Sequence, residues 1–258
     1  MLTSHLWSAL SVAAADPRFP FAVAIATVAG LVRGFSGFGS ALIYMPLMSA
    51  VYDPKLAAAT LLLIDFICSL PFSIKVIPNC NLREVAPVSV GGAIAVPFGV
   101  MALVYIEPLT LRWFIAVLVL IALAALVSGW RYHGKPKLFA SLGVGALSGF
   151  GGGSVQIGAP PLLIFWLGGQ NDATTVRANI MVYFIVQGTL SFLLYIYSGL
   201  IDGPVVILSL LMGVPFALAL AAGAFWFHGS SDVLYRRVAY AIIAFAGLAS
   251  LPIFDALR

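Results

Sequence analysis

From Val205 to Phe227 the chain runs without a single charged side chain, and the stretch from Phe114 to Val127 is equally apolar. A helix of about 20 apolar residues is long enough to cross the hydrocarbon core of a bilayer. Charged residues make up 9% of the chain, against about a quarter in a soluble domain. So few charges cannot cover a water-exposed surface, and the sequence therefore predicts an all-α protein that crosses the membrane several times.

An internal repeat organises the chain. Ser36-Gly37-Phe38-Gly39 recurs as Ser148-Gly149-Phe150-Gly151, 112 residues later, and the second copy then adds Gly152 and Gly153. Further matches join Ser40 to Ser154, Pro46 to Pro160, and Val96-Pro97-Phe98 to Val214-Pro215-Phe216. Because these matches keep the same order with a slowly growing offset, they predict a duplication.

A basic linker at 131–137, which contains Arg131, Lys135 and Lys137, separates the two copies. We therefore predict a first repeat over 19–130 and a second repeat over 138–258. Residues 1–18 are expected to form an interfacial segment. The alternative, a signal peptide, is less favoured because this segment lacks a basic n-region.

Each copy is predicted to hold two short helices broken at the Gly-rich motif, followed by three spanning helices. The broken pairs are Phe19–Phe35 with Ser40–Val51 and Leu138–Leu147 with Ser154–Trp166, and the spans lie near 55–76, 84–106, 109–130, 173–198, 203–227 and 233–254. A hairpin plus three spans is an odd number of crossings. The copies should therefore face opposite ways, which is the inverted-repeat plan of many secondary transporters. Whether each hairpin is re-entrant or crosses fully stays open.

The positions of Lys and Arg predict the orientation, because short cytoplasmic loops carry an excess of both. With the 131–137 linker in the cytoplasm, eight of these residues lie inside, four lie outside, and Arg33 lies within the membrane. The formal charge of +4 is therefore assigned to orientation in the bilayer, and no nucleic-acid partner is expected.

The two Gly-rich motifs form the candidate substrate site. Irregular backbone in a membrane is tolerated where it is buried in protein or lines a cavity, and glycine lets a ligand approach the main chain. Ser40 and Ser154 are expected to cap the helices that follow, whose N-terminal N–H groups attract an anion. The alternative role of the glycines is close helix packing. The candidate substrate-binding residues are Arg33, Ser36, Gly37, Gly39, Ser40, Ser148, Gly149, Gly151, Gly152, Gly153, Ser154, Gln156 and Asn179.

Charged residues near the motifs suggest further roles. Arg33 stands one helical turn before Ser36, and a charge at membrane depth is usually functional. Arg33 can bind the anion, pair with Asp65, or reach an interface. Asp65 lies inside an apolar run and is the candidate for coupling to protons, while Arg177 is expected at the cytoplasmic mouth, where it attracts anions.

Polar residues recur every four positions on the spans that follow the hairpins. The rows are Asp65, Ser69 and Ser73 in the first copy, and Asn179, Tyr183, Gln187, Ser191 and Tyr195 in the second. Such a row forms one ridge on a helix and is expected to face the protein interior. Interhelical hydrogen bonding and substrate contact both stay open, with Asn179 and Gln156 favoured for contact.

Motifs of enzymes and metal sites are not found in the sequence. His5, His133 and His228 fall in terminal or loop regions, and two cysteines, Cys68 and Cys80, are too few for a metal site. No Walker A sequence indicates the use of ATP. We therefore expect neither catalytic residues nor a cofactor or metal.

The segments Gly34–Leu47 and Gly145–Leu162, which end in Pro-Leu and Pro-Pro-Leu, flank the basic linker. Over roughly residues 20–254 the chain resembles the sulfite exporter TauE/SafE family. The resemblance implies a permease of the cytoplasmic membrane for sulfite, an organosulfonate or a related sulfur-containing or organic anion, and it fixes neither the substrate nor the direction. An anion-selective channel is the alternative, and an intramembrane enzyme or assembly factor is a third possibility.

Overall fold

A computed structural model describes residues 16–36, 38–129, 131–132, 137–167, 171–226 and 232–253. These residues form α-helices α1 (Phe19–Ser36), α2 (Ser40–Val51), α3 (Pro54–Val76), α4 (Leu82–Tyr105), α5 (Pro108–Val127), α6 (Leu138–Val155), α7 (Ala159–Trp166), α8 (Ala173–Tyr197), α9 (Gly203–Trp226) and α10 (Asp232–Ala249). A short 3-10 turn, Ile77–Asn79, follows α3. The predicted all-α class is confirmed. The predicted interfacial segment 1–18 lies outside the described residues except for 16–18.

Six of the described helices, α3, α4, α5, α6, α8 and α9, are long and apolar enough to cross a membrane. Five of the predicted spans are therefore confirmed as helices of spanning length. The sixth, predicted at 233–254, forms α10, whose apolar stretch Tyr240–Ala249 is shorter. Large apolar side chains such as Phe98, Leu210 and Phe225 are exposed on the outside of the bundle. Such a surface suits contact with lipid.

Helices α3 and α8 are each capped at the N-terminus by an aspartate. The carboxylate of Asp53 accepts a hydrogen bond from the N–H of Lys55 at 2.8 Å, and that of Asp172 accepts one from Thr175 at 3.3 Å. Each aspartate satisfies an N–H group that the first turn of a helix leaves unpaired. The two aspartates are 119 residues apart, which sets the register between the halves.

The same register holds for the first helix pairs. Helices α1 and α6 are both 18 residues long, and they start 119 residues apart, as do α2 and α7. The two Ser-Gly-Phe-Gly copies are 112 residues apart instead of 119, so they do not occupy equivalent positions in the two halves. The first lies across the break between α1 and α2, and the second lies inside α6. The predicted break at 148–153, with helices Leu138–Leu147 and Ser154–Trp166, is therefore wrong.

Helix α1 packs closely on α9, which belongs to the other half of the chain. A Cβ atom at Gly30 would clash with the carbonyl oxygen of Phe216, and one at Gly34 would clash with that of Leu220. Because both contacts advance along the two helices together, α1 and α9 run parallel. Glycine is needed here to bring the two backbones into contact.

The second half makes the reciprocal contact, with α6 packed on α4. A Cβ atom at Gly149 would clash with the carbonyl oxygen of Gly92, and one at Gly153 would meet that of Val96 at 2.6 Å. Each hairpin is thus held by a helix from the other half. This reciprocal packing supports a plan of two repeats, and their inversion across the membrane stays a prediction.

Candidate functional site

The first break, between α1 and α2, is shaped by glycine. Gly39 adopts a φ of 98° and stands at the N-cap of α2 without a side chain to cap it. Ser40 is the first helical residue, so its predicted capping role is wrong. The predicted site residue Ser36 ends α1, and Gly37 lies outside the described residues.

The second break, at 156–158, is shaped by a residue other than glycine. Gln156 adopts a φ of 58° and ends α6, and its N–H donates to the carbonyl of Gly152 at 3.2 Å. The N–H of Ile157 donates to the carbonyl of Gly151 at 3.0 Å. These bonds satisfy carbonyls that the end of a helix leaves without a partner. Ser154 lies inside α6, with its hydroxyl donating to Phe150, so its predicted capping role is also wrong.

Gln156 holds a strained conformation. Within the described residues it is the one non-glycine residue with a positive φ. The left-handed region costs an ordinary residue roughly 1–2 kcal/mol. Its side-chain Nε2 donates to the hydroxyl of Tyr195 at 3.1 Å, and that hydroxyl donates to the carbonyl of Gly153 at 2.9 Å. Strain of this kind is characteristic of functional positions.

Both breaks line one cavity of about 70 Å³. A single water molecule needs roughly 10–15 Å³, so the cavity has room for a small anion. The first break contributes Gly39 and Ser40, the second contributes Gln156, and α1 contributes Arg33. The cavity therefore lies between the two hairpins, with α3 and α8 forming its other walls.

Helices α3 and α8 line the cavity with matching positions. Four residues of α3 pair with four of α8 at the offset of 119, namely Leu62 with Met181, Asp65 with Phe184, Phe66 with Ile185, and Ser69 with Gly188. Equivalent faces of the two halves thus meet at the cavity. Charge differs between them, because the charged side chains of the described lining, Arg33 and Asp65, both come from the first half.

Arg33 and Asp65 form an ion pair inside the cavity. The Nε of Arg33 lies 3.0 Å from Oδ1 of Asp65, and the two side chains are 12% and 26% exposed. A terminal nitrogen of Arg33 donates to the hydroxyl of Ser69 at 3.1 Å. Of the roles that the sequence left open for Arg33, pairing with Asp65 is thus confirmed. The guanidinium lies at the wall of the cavity.

Gln187 is the polar residue of α8 that reaches the cavity. Its side chain is 4% exposed and its Nε2 donates to the hydroxyl of Ser191 at 3.0 Å. It fills the space above Gly152, where an added Cβ would lie 2.8 Å from its side chain. Arg33 occupies the position in the first half that is equivalent to Gly152, 119 residues earlier. One half thus places a guanidinium on its hairpin, whereas the other places an amide on its spanning helix.

The remaining residues of the second motif support the backbone around the site and do not line the cavity. Gly149 and Gly153 pack on α4, as the packing alternative predicted. Gly151 leaves room for the carbonyl of Ile157 where the chain folds back. The hydroxyl of Ser148 donates to the carbonyl of Gly158 at 2.6 Å and fastens the break to α6.

The polar row on α8 faces the protein interior, as predicted. Its members Asn179, Tyr183, Gln187, Ser191 and Tyr195 are all at most 4% exposed. Tyr183 and Tyr195 serve interhelical hydrogen bonding, since their hydroxyls donate to the carbonyls of Gly145 and Gly153 in α6 at 3.1 and 2.9 Å. Asn179 accepts a hydrogen bond from the N–H of Asn81 at 2.8 Å and does not line the cavity.

Arg177 lies on the exposed side of α8, away from the cavity lining. Gln187 and the aromatic wall residues Phe66 and Phe184 were not among the predicted site residues. Gln187 belongs to the row of polar residues spaced by four. That spacing predicts which face of the helix a residue lies on, but not which residue of the row reaches the cavity. In the described ranges no group of three or more His, Cys, Asp or Glu side chains is placed to hold a metal ion.

Six described helices of spanning length, with large apolar side chains on the outside of the bundle, indicate a multi-pass membrane protein, and the family it matches is one of transporters. The family model of the sulfite exporter TauE/SafE matches residues 22–250, and the chain belongs to this family. The resemblance found in the sequence is thus confirmed. Neither a curated protein nor a solved structure matches the chain at a significant level.

Proposed function

We propose that the protein is a secondary transporter that moves a small anion across the cytoplasmic (inner) membrane, with the 131–137 linker on the cytoplasmic side. The substrate is sulfite, an organosulfonate or a related sulfur-containing or organic anion, in keeping with the family match. The observation that carries this proposal is the guanidinium of Arg33 in a cavity lined by both helix breaks.

The chemistry of the cavity suits an oxyanion. A guanidinium presents a planar fork of donors that grips a sulfonate or a carboxylate with two hydrogen bonds. Neutral donors stand around it, with the hydroxyl of Ser40 at the first break and the amides of Gln156 and Gln187 opposite. These groups stabilise negative charge without adding a second full charge.

A transporter is favoured over a channel because fully buried side chains pack beyond one end of the cavity lining. Its lining stops at Ala41 on α2 and at Leu61 on α3. Just beyond, the hydroxyl of Tyr44 lies 2.9 Å from that of Thr60, and both side chains are fully buried. Towards the other end the lining continues along α3 as far as Ser73. A site open towards one side at a time is what alternating access requires.

Flux measurements in proteoliposomes test this function. Purified protein is reconstituted and assayed with labelled sulfite, sulfate, thiosulfate, taurine, sulfoacetate and simple carboxylates. We expect saturable uptake of at least one of these anions, with strong loss in Arg33→Ala. Arg83→Ala, which removes an exposed arginine outside the cavity, is the matched control and should transport normally.

Two results would contradict the proposal. Anion flux that does not saturate with concentration, together with single-channel conductance, would indicate an anion-selective channel. The absence of flux for every anion, while the protein remains monodisperse and folded, would remove the transport function itself.

A further inference from the structure

We infer that Asp65 binds a proton when a monovalent anion enters the cavity, so that one anion and one proton enter together. The protonated side chain of Asp65 no longer forms its ion pair with Arg33. The inference rests on the proposed function and assigns its coupling ion. It follows from the geometry of Arg33, from the charges in the cavity and from the ionisable groups around Asp65.

The ion pair and the anion compete for the same donors. Arg33 directs Nε at Asp65 and a terminal nitrogen at Ser69, at 3.0 and 3.1 Å. An anion that takes the fork with two hydrogen bonds needs neighbouring nitrogens of the guanidinium. When these are Nε and the terminal nitrogen beside it, the anion displaces the carboxylate of Asp65 or shares its donor.

Charge then determines what accompanies the anion. The described lining carries one positive and one negative side chain, so the resting cavity is neutral. A monovalent anion adds one negative charge to a site largely enclosed by apolar walls. An uncompensated charge is strongly unfavourable in such surroundings. A proton on Asp65 restores neutrality and leaves Arg33 paired with the anion.

Asp65 has few other ionisable groups around it. Those that face it in the described structure are Arg33 on α1 and Cys68. Cys68 lies on α3, the same helix as Asp65, and is close enough to feel the charge of the carboxylate. The cavity-lining positions of α2 and α8 carry none. Helices α6 and α9 have no ionisable side chain along their length, and those of α4 and α5 lie near helix ends. Asp65 is therefore the group that takes the proton.

The exchange conserves atoms and charge. One proton from the aqueous side of the cavity joins an oxygen of Asp65, and the Arg33–Asp65 contact opens. The two freed donors of Arg33 then bind the anion. For a monovalent anion the whole step is electroneutral, so a pH difference drives the transport while the membrane potential does not.

Proton uptake on binding tests the inference in the wild-type protein. Methanesulfonate is a suitable probe, because it is monovalent and does not titrate between about pH 6 and pH 8. Calorimetry in buffers of different ionisation enthalpy gives the number of protons bound with each anion. We expect uptake of close to one proton per anion at the upper end of this range, with affinity falling by up to about tenfold per pH unit.

Variants separate the coupling from the transport function. Asp65→Asn mimics the protonated state, so it should bind the same probe at least as tightly, without proton uptake and without pH dependence. Glu107→Gln removes an exposed carboxylate that caps no backbone group, and it should behave as the wild type.

The outcomes are distinguishable. Anion binding by the wild type without proton uptake overturns the inference and leaves the proposed function standing. Proton uptake that persists in Asp65→Asn also overturns it, because another group then takes the proton. If neither methanesulfonate nor sulfite binds to the folded wild type, the proposed function fails and this inference fails with it.

Discussion

The side chain of Gln187 rests directly on Gly152, where an added Cβ would lie 2.8 Å from its Cδ and 2.9 Å from its Nε2. This contact joins the hairpin of the second half to the polar row of α8 at the wall of the cavity. The atoms involved are the far end of a flexible side chain, which can move aside at little cost in folding.

Gly152→Ala should therefore leave the stability nearly unchanged and weaken anion transport, because the amide of Gln187 is pushed from its place. Thermal unfolding in detergent and uptake in proteoliposomes measure the two effects. Gly149→Ala is the matched comparison. There the added methyl meets backbone of α4, and overpacking of this kind costs about 1–3 kcal/mol. Normal transport in Gly152→Ala would remove Gln187 from the site.

Replacing Gln156 separates its backbone role from its side-chain role. Gln156→Gly and Gln156→Ala both lose the hydrogen bond to Tyr195, but only glycine also relieves the left-handed strain. The glycine variant should be more stable than the alanine variant by roughly 1 kcal/mol. Both should lose transport to the same extent if the amide contacts the anion. Transport that follows the order of stability would instead indicate a purely structural role.

Arg33 is expected to contribute both charge and shape to anion binding. Arg33→Lys keeps the charge but loses the planar fork, so it should bind more weakly, and Arg33→Ala should lose roughly 2–5 kcal/mol of binding free energy. Calorimetric titration with the preferred anion measures both. Equal dissociation constants in all three proteins would place the substrate site elsewhere.

Stability gives an independent check on the same ion pair. Arg33→Ala leaves Asp65 without its guanidinium partner, which destabilises a partly buried carboxylate. The double variant with Asp65→Asn should regain stability without regaining anion binding. Two additive losses in a double-mutant cycle would show that the pair is not energetically coupled.

The predicted inversion of the repeats can be tested by labelling. Asn79 precedes α4 and Asp202 precedes α9, and both are exposed. Single cysteines at these positions, in a chain lacking Cys68 and Cys80, should react with a membrane-impermeant maleimide from opposite sides of the membrane. Labelling from the same side would indicate parallel repeats and would contradict the predicted orientation.

The helices of this protein could be predicted from its sequence because long apolar runs have few alternatives in a membrane. The second break could not, because glycine serves two purposes. Gly149 and Gly153 lie in continuous helix and allow close packing, whereas the chain actually turns at Gln156, a residue that rarely adopts a left-handed conformation. The better guide to the register was the pair of capping aspartates, Asp53 and Asp172, 119 residues apart.

The site was predictable in part. Hydrophobic context placed Arg33 and Asp65 at membrane depth, and both line the cavity. The polar row favours Asn179 for substrate contact, yet its side chain accepts a hydrogen bond from the N–H of Asn81 instead. Spacing assigns a residue to a face of a helix, but its depth along that face depends on the neighbouring helices, which the sequence of one helix does not specify.

The packing of α1 against α9 has a consequence for how the chain is assembled during synthesis. Gly34 and its partner Leu220 are 186 residues apart, so at about 5–20 residues per second α9 emerges roughly 10–40 s after α1. Asp65 follows Arg33 by 32 residues and becomes available much sooner. The glycine face of α1 is therefore without its partner helix during this interval, whereas the partner of Arg33 has already been made.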